Sequence, residues 1–314
     1  MSDRDEPNGA GDRDGAILPA VELPIVLHDG PHAMPSRPSK PPRPSVPMME
    51  IASGFSTRAV PLGLDGAFEL RGGDRLGPNG IACDLAMDWH PALMRLVEAA
   101  CDDQRVRGRP WFTMPPTLLS GPAGVGRTHI ARRISDAAGV PHLVMDVRDH
   151  DAAHRRHAPD VPMPITPVIG MALTRCANPV VTVINVDDAD REALAHVARL
   201  LDVRHNGRIV EPGLGATLDL SQVTWLVQSS APDALRDRLR DVLLEVRLEE
   251  PEDMDATFLV IDLIAEVIAD HGLDEPDAET IRAIVHGSVV RRGGYRRTVT
   301  TASLYDEIAR QLSG

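Results

Sequence analysis

A chain of 314 residues, 43% of them hydrophobic, has the length and apolar content for one large globular domain and a smaller one. Its formal net charge of -13 argues against a general nucleic-acid or membrane-surface role, because phosphate backbones and anionic headgroups would repel the average surface. Cys83, Cys101 and Cys176 are too widely spaced for a disulfide framework or a zinc knuckle, and no apolar leader or membrane-length run is visible, so a cytoplasmic location is expected.

Residues 1–48 are rich in Asp, Gly and Pro, with proline densest at 35–47 (PSRPSKPPRPSVP). Such a composition cannot bury enough apolar surface to offset chain entropy, which predicts a disordered, partly polyproline arm. A PxxP ligand for an SH3-like partner is the sharper reading of the same residues, and a plain linker the commoner one. Residues 49–87 hold short strand-like pieces and many glycines without a period, and are expected to be irregular.

Pattern improves at 88–101 (DWHPALMRLVEAAC), where Leu93, Leu96, Val97 and Ala100 recur at helical spacing. An apolar strand at 117–120 follows, then a glycine-rich loop at 121–128, then a helix over 128–138 with Ile130, Ala131 and Ile134 on one face. Strands are predicted at 142–147, 180–186 and 223–227, with a helix at 192–201 between the last two. Strands alternating with helices predict an α/β fold with a doubly wound parallel sheet over 88–250. Beyond 251 the pattern is helical only, at 254–271, 277–286 and 300–312, which predicts a small all-helical domain.

The loop carries the chemistry. Gly121, Pro122, Ala123, Gly124, Val125, Gly126, Arg127 and Thr128 fit the phosphate-loop pattern (Walker A) at every defined position except its lysine. Glycines let successive backbone N–H groups turn inward on an anion, the following helix adds its positive end, and Thr128 offers a hydroxyl to Mg²⁺. Arg127 keeps the lysine's charge on a bulkier, planar group, and Lys40, the chain's only lysine, lies in the arm. A glycine-rich turn that binds nothing is the alternative. His150, His154 and His157, interleaved with Asp and Arg, read as a polar surface segment rather than a metal site.

With the loop in place, residues 88–314 resemble a bacterial AAA+ ATPase of the Lon-like type without Lon's protease domain. The resemblance is carried by LLSGPAGVGRTHIARRISDAAGVPH, ANPVVTVINVDDAD and DLSQVTWLVQSS, followed by the helical segment as a lid. It implies ATP or ADP as ligand, Mg²⁺, an oligomer of like or related AAA+ subunits and a protein client, while the net charge and the lack of a membrane-length run speak against nucleic acid and membrane as partners. The family closes its second motif with an aspartate that supports Mg²⁺ and a glutamate that polarises water. A match without gaps from Asn178 and Pro179 puts Ile184 and Asn185 there, whereas Asp187 and Asp188 fill the roles only after a three-residue slip, which exchanges the strand's two faces. Ser230 stands at the family's water-orienting asparagine. Val242, or else Arg238 or Arg240, stands at the arginine that reaches a neighbouring subunit, and Arg292 or Arg296 at the lid arginine. With lysine, both acids and asparagine changed together, the expectation is an ATP-binding pseudoenzyme or very slow ATPase that acts through assembly. An active ATPase using Asp187 and Asp188 for protein remodelling, and a scaffold that binds no nucleotide, are the alternatives.

Overall fold

The structure is a computed structural model that describes residues 43–47, 49–51, 66–85, 90–148, 166–211, 216–239, 242–249, 253–294 and 301–313. Two short strands open it, β1 (Ser45–Pro47) and β2 (Met49–Ile51). β1 runs antiparallel to β3 (Ala67–Glu69), Leu70 N donates to Pro44 O at 2.8 Å, and Arg43 pairs with Glu69 at 3.1 Å. The end of the arm expected to be disordered as far as 48 is therefore built into the fold from residue 43. The segment expected to be irregular likewise holds β2, β3 and a short helix, α1 (Ile81–Leu85). Elements of three to five residues are too short to display a period, which is why composition alone misjudges them.

The central unit continues with α2 (Pro91–Val106), β4 (Thr117–Ser120), α3 (Arg127–Ala138), β5 (His142–Asp146), α4 (Thr166–Thr174), β6 (Val180–Ile184) and α5 (Arg191–Leu201). After these come β7 (Ile209–Glu211), β8 (Ala216–Leu218), β9 (Thr224–Ser229), α6 (Pro232–Leu239) and β10 (Leu244–Arg247). Five strands form a parallel sheet in the order β10-β4-β9-β6-β5, while β2, β8 and β7 make a small antiparallel one. Alternate residues of each main strand face opposite layers. Leu118, Val181, Val183, Trp225 and Val227 pack with α4, α5 and α6, whereas Leu119, Val180, Leu226 and Val246 pack with α1, α2 and α3. Burial on both faces explains why these strands read as continuous apolar runs.

Local signals fix the ends. Asp190 caps α5 by accepting hydrogen bonds from Glu192 N and Ala193 N, and Pro91 opens α2. β6 stops at Ile184, two residues before its expected end, because Asn185 adopts a left-handed φ of 61° and turns the chain into a tight turn over Val186–Asp188.

Three further helices, α7 (Asp253–His271), α8 (Ala278–Gly294) and α9 (Thr301–Ser313), bundle around their own core of Leu259, Leu263, Val267, Ile284, Leu304 and Ile308. Among the described residues no helix is long and apolar enough to cross a membrane.

Candidate functional site

β4 is buried at all four positions and delivers the chain to the loop at the carboxyl end of the sheet. There Gly121 N donates to Ser229 O at 3.2 Å and Leu248 N to Ser120 O at 2.7 Å, so the neighbouring strands β9 and β10 hold the loop's start. Gly121 has φ 149°, and a Cβ on it would come within 2.4 Å of Leu248 O, so only glycine fits. Gly124 and Gly126 are left-handed at φ 86° and 94°, and Val125 between them is buried as the loop's anchor. α3 begins directly after Gly126, and its first turn carries the N–H groups that no helical carbonyl satisfies.

Arg127 does not extend from this turn. Its Nη1 donates back to Gly121 O and, at 2.9 Å, to Ser229 O. Burial pulls the guanidinium below its usual pKa, and the nearby Asp187 carboxylate opposes that shift. Thr128 Oγ1 faces the Gln228 carboxamide, 3.2 Å from Oε1 and 3.1 Å from Nε2.

Of the acids weighed in the sequence, Asp187 is the one brought to the loop. Its carboxylate accepts from Ser229 Oγ at 2.6 Å, from Ser230 N at 2.8 Å and from Ser230 Oγ at 2.8 Å. Burial pushes its pKa up, but these bonds and the Arg127 charge outweigh it and hold the carboxyl below its ordinary range. Asp188 is exposed. Ile184 sits opposite Asp146 on β5, and Asn185 Nδ2 donates to Asp146 Oδ2 at 2.8 Å, at the β5 edge of the sheet. Val242 packs against the core. Arg238 and Arg292 lie in α6 and α8 with side chains outside the described residues, as are Arg240, Arg296, His150, His154 and His157 altogether.

The helical bundle closes the other side of the loop and leaves a cleft of about 430 Å³ lined by Gly124, Gly126, Arg127, Thr128 and Gln228 and, across α3, by His129, Arg132, Glu266, Tyr305 and Asp306. Glu266 lies 2.7 Å from Arg132 Nη2 and 3.1 Å from His129 Nδ1, outside hydrogen-bond alignment with either. Arg132 also bonds Asp270, which accepts from Tyr305 Oη at 2.6 Å, and Arg133 stands 3.4 Å from Asp262. Burial, with Arg133 and Arg132 beside it, drives the His129 pKa down to about 4. The imidazole is therefore neutral at physiological pH, and Arg132 is the cation that answers Glu266.

Sequence reasoning misses Gln228, His129, Arg132 and Glu266. Only α7 offers a signal: Asp262, Glu266 and Asp270 recur every four residues in the otherwise apolar stretch 258–270 and so form one acidic stripe. Compared with protein-family models the chain matches none, and it matches no curated protein.

Proposed function

We propose that the protein binds ATP or ADP at the 121–128 loop as a Lon-like AAA+ module without a protease domain, and turns the nucleotide over very slowly or not at all. The observation that carries this reading is the loop itself. A buried strand passes through left-handed Gly124 and Gly126 into the first turn of α3, at the mouth of a cleft of nucleotide size. The bundle of α7, α8 and α9 serves as its lid.

Slow turnover is supported by the groups around the loop. Asp187 accepts three hydrogen bonds from Ser229 and Ser230 and is a weak base, and Arg127 is held against backbone carbonyls. Loss of one transition-state stabiliser typically costs on the order of 10²- to 10³-fold in rate. Assembly with like or related subunits, and action on a protein client, rest on the sequence resemblance.

Calorimetric titration with ATP and ADP, with a hydrolysis assay on the same preparation, tests the reading. Binding is expected, with turnover far below that of ordinary AAA+ enzymes. Gly126→Val forces a β-branched residue into a left-handed backbone where phosphate would sit, and should weaken binding by about tenfold or more. Binding in neither titration leaves the scaffold reading.

One observation favours an active enzyme: Asp187 contacts Ser230, at the water-orienting position, and acts electrostatically on Arg127. If it is the working acid, the parent hydrolyses ATP at an ordinary rate and Asp187→Ala abolishes turnover.

A further inference from the structure

We propose that this site takes its nucleotide without a divalent cation, and that Gln228 is the residue that sets this independence. The inference rests on the nucleotide reading above and concerns the Mg²⁺ that the resemblance implies.

The residues present do not fit that ion. Mg²⁺ gives up water reluctantly and is usually held through one or two carboxylates together with substrate phosphates. At the loop its first protein ligand would be the Thr128 hydroxyl, and that hydroxyl already faces both ends of the Gln228 carboxamide, at 3.1 and 3.2 Å. Neither group is charged. Asp187 accepts three hydrogen bonds at 2.6 to 2.8 Å on its two oxygens, and the Glu266 charge is answered by Arg132, 2.7 Å away. Asp306 is the remaining acid on the cleft wall, exposed on α9 of the bundle. Among the described residues no group of three or more His, Cys, Asp or Glu side chains is arranged to hold a metal.

The cleft supplies another source of positive charge. Arg127 uses only Nη1 on the backbone carbonyls, so its other N–H groups have no hydrogen-bond partner among the described residues, whereas Arg132 on the same wall is shared between Glu266 and Asp270. Guanidinium forks pair with phosphate oxygens two at a time, and the start of α3 adds its partial positive charge. Together the Arg127 guanidinium and the start of α3 take over the charge balance that Mg²⁺ provides where a carboxylate stands beside the loop hydroxyl.

The full chain, freed of metal, is titrated with ATP in excess EDTA and again in excess Mg²⁺. The two dissociation constants are expected to agree within about twofold. Gln228→Glu changes one atom and puts a carboxylate against Thr128. It should weaken ATP in EDTA by repulsion and recover it with Mg²⁺, so that the ratio of the two constants rises to about tenfold or more. A parent that loses about tenfold or more of its affinity in EDTA overturns metal independence but leaves the nucleotide reading standing. Binding under neither condition overturns that reading instead. A folded Gln228→Glu protein that stays indifferent to Mg²⁺ overturns the assignment to Gln228, and if this variant does not fold, the parent's own comparison still decides the main claim.

Discussion

Arg127 and His129 lie two positions apart at the start of α3, and burial acts on both through the same physics. Each charged form is disfavoured by desolvation. The guanidinium cannot give up its proton, so it takes backbone carbonyls as partners, whereas the imidazole deprotonates. This yields a pH signature. An unfolded histidine titrates near 6.5 and His129 near 4, so between those values the unfolded chain binds a proton that the folded chain refuses. Stability therefore falls as pH drops from about 6.5 toward 4, by at most about 3 kcal/mol from this residue. Glu266 opposes part of that fall, because burial raises its pKa and the folded state binds its proton more readily. The difference between parent and His129→Gln isolates the histidine. Urea midpoints measured from pH 7 to pH 4.5 should drop more steeply in the parent, and parallel curves would mean that His129 is ordinarily solvated.

α3 is the element that links loop to bundle. Its first turn faces the loop, its apolar face fills the layer under the sheet, and its polar face meets the acidic stripe of α7. Arg132 is shared between Glu266 and Asp270, so Arg132→Gln leaves two acids facing each other at a partly buried contact. The expected loss is about 1–2 kcal/mol, between an exposed pair and a buried one. It should appear as faster protease cleavage between the sheet unit and the bundle, and unchanged cleavage would show that Arg132 does not hold the bundle down. The interior strands β4, β6 and β9 are legible in the sequence because each is apolar on both faces. β7, β8 and β10 are not, since three or four residues give no run to recognise, and Val210 in β7 and Leu244 and Glu245 in β10 are exposed. The loop is legible for a different reason: its glycines are demanded by backbone geometry and stand at fixed spacing. Gln228 and Glu266 escape notice because their partners, Thr128 and Arg132, lie on α3 far away in the chain, and only folding brings them together.

At the scale of the whole molecule, apolar cohesion divides cleanly. Every member of the two cores that flank the main sheet lies before Glu249, and every member of the bundle's core lies after residue 253. Ion pairs join α3 to α7, and these contribute much less than buried apolar surface. A chain ended after Glu249 should therefore keep its sheet and both flanking cores, since no core residue is removed. Such a chain should unfold in one cooperative transition by far-ultraviolet circular dichroism, at a midpoint close to that of the main unit in the full chain. It should also bind ATP more weakly, because the cleft loses the wall formed by Glu266, Tyr305 and Asp306 while the loop remains. The opposite end behaves differently. Starting the chain at Ala52 rather than at Pro42 removes β1 and β2, hence the pairings with β3 and β8 and the contact of Val46 with the core, so this second truncation should lower the melting temperature although the residues removed are fewer. A chain ended at Glu249 that is recovered only unfolded would mean that the charged seam, and not the two apolar cores, decides whether the sheet unit folds.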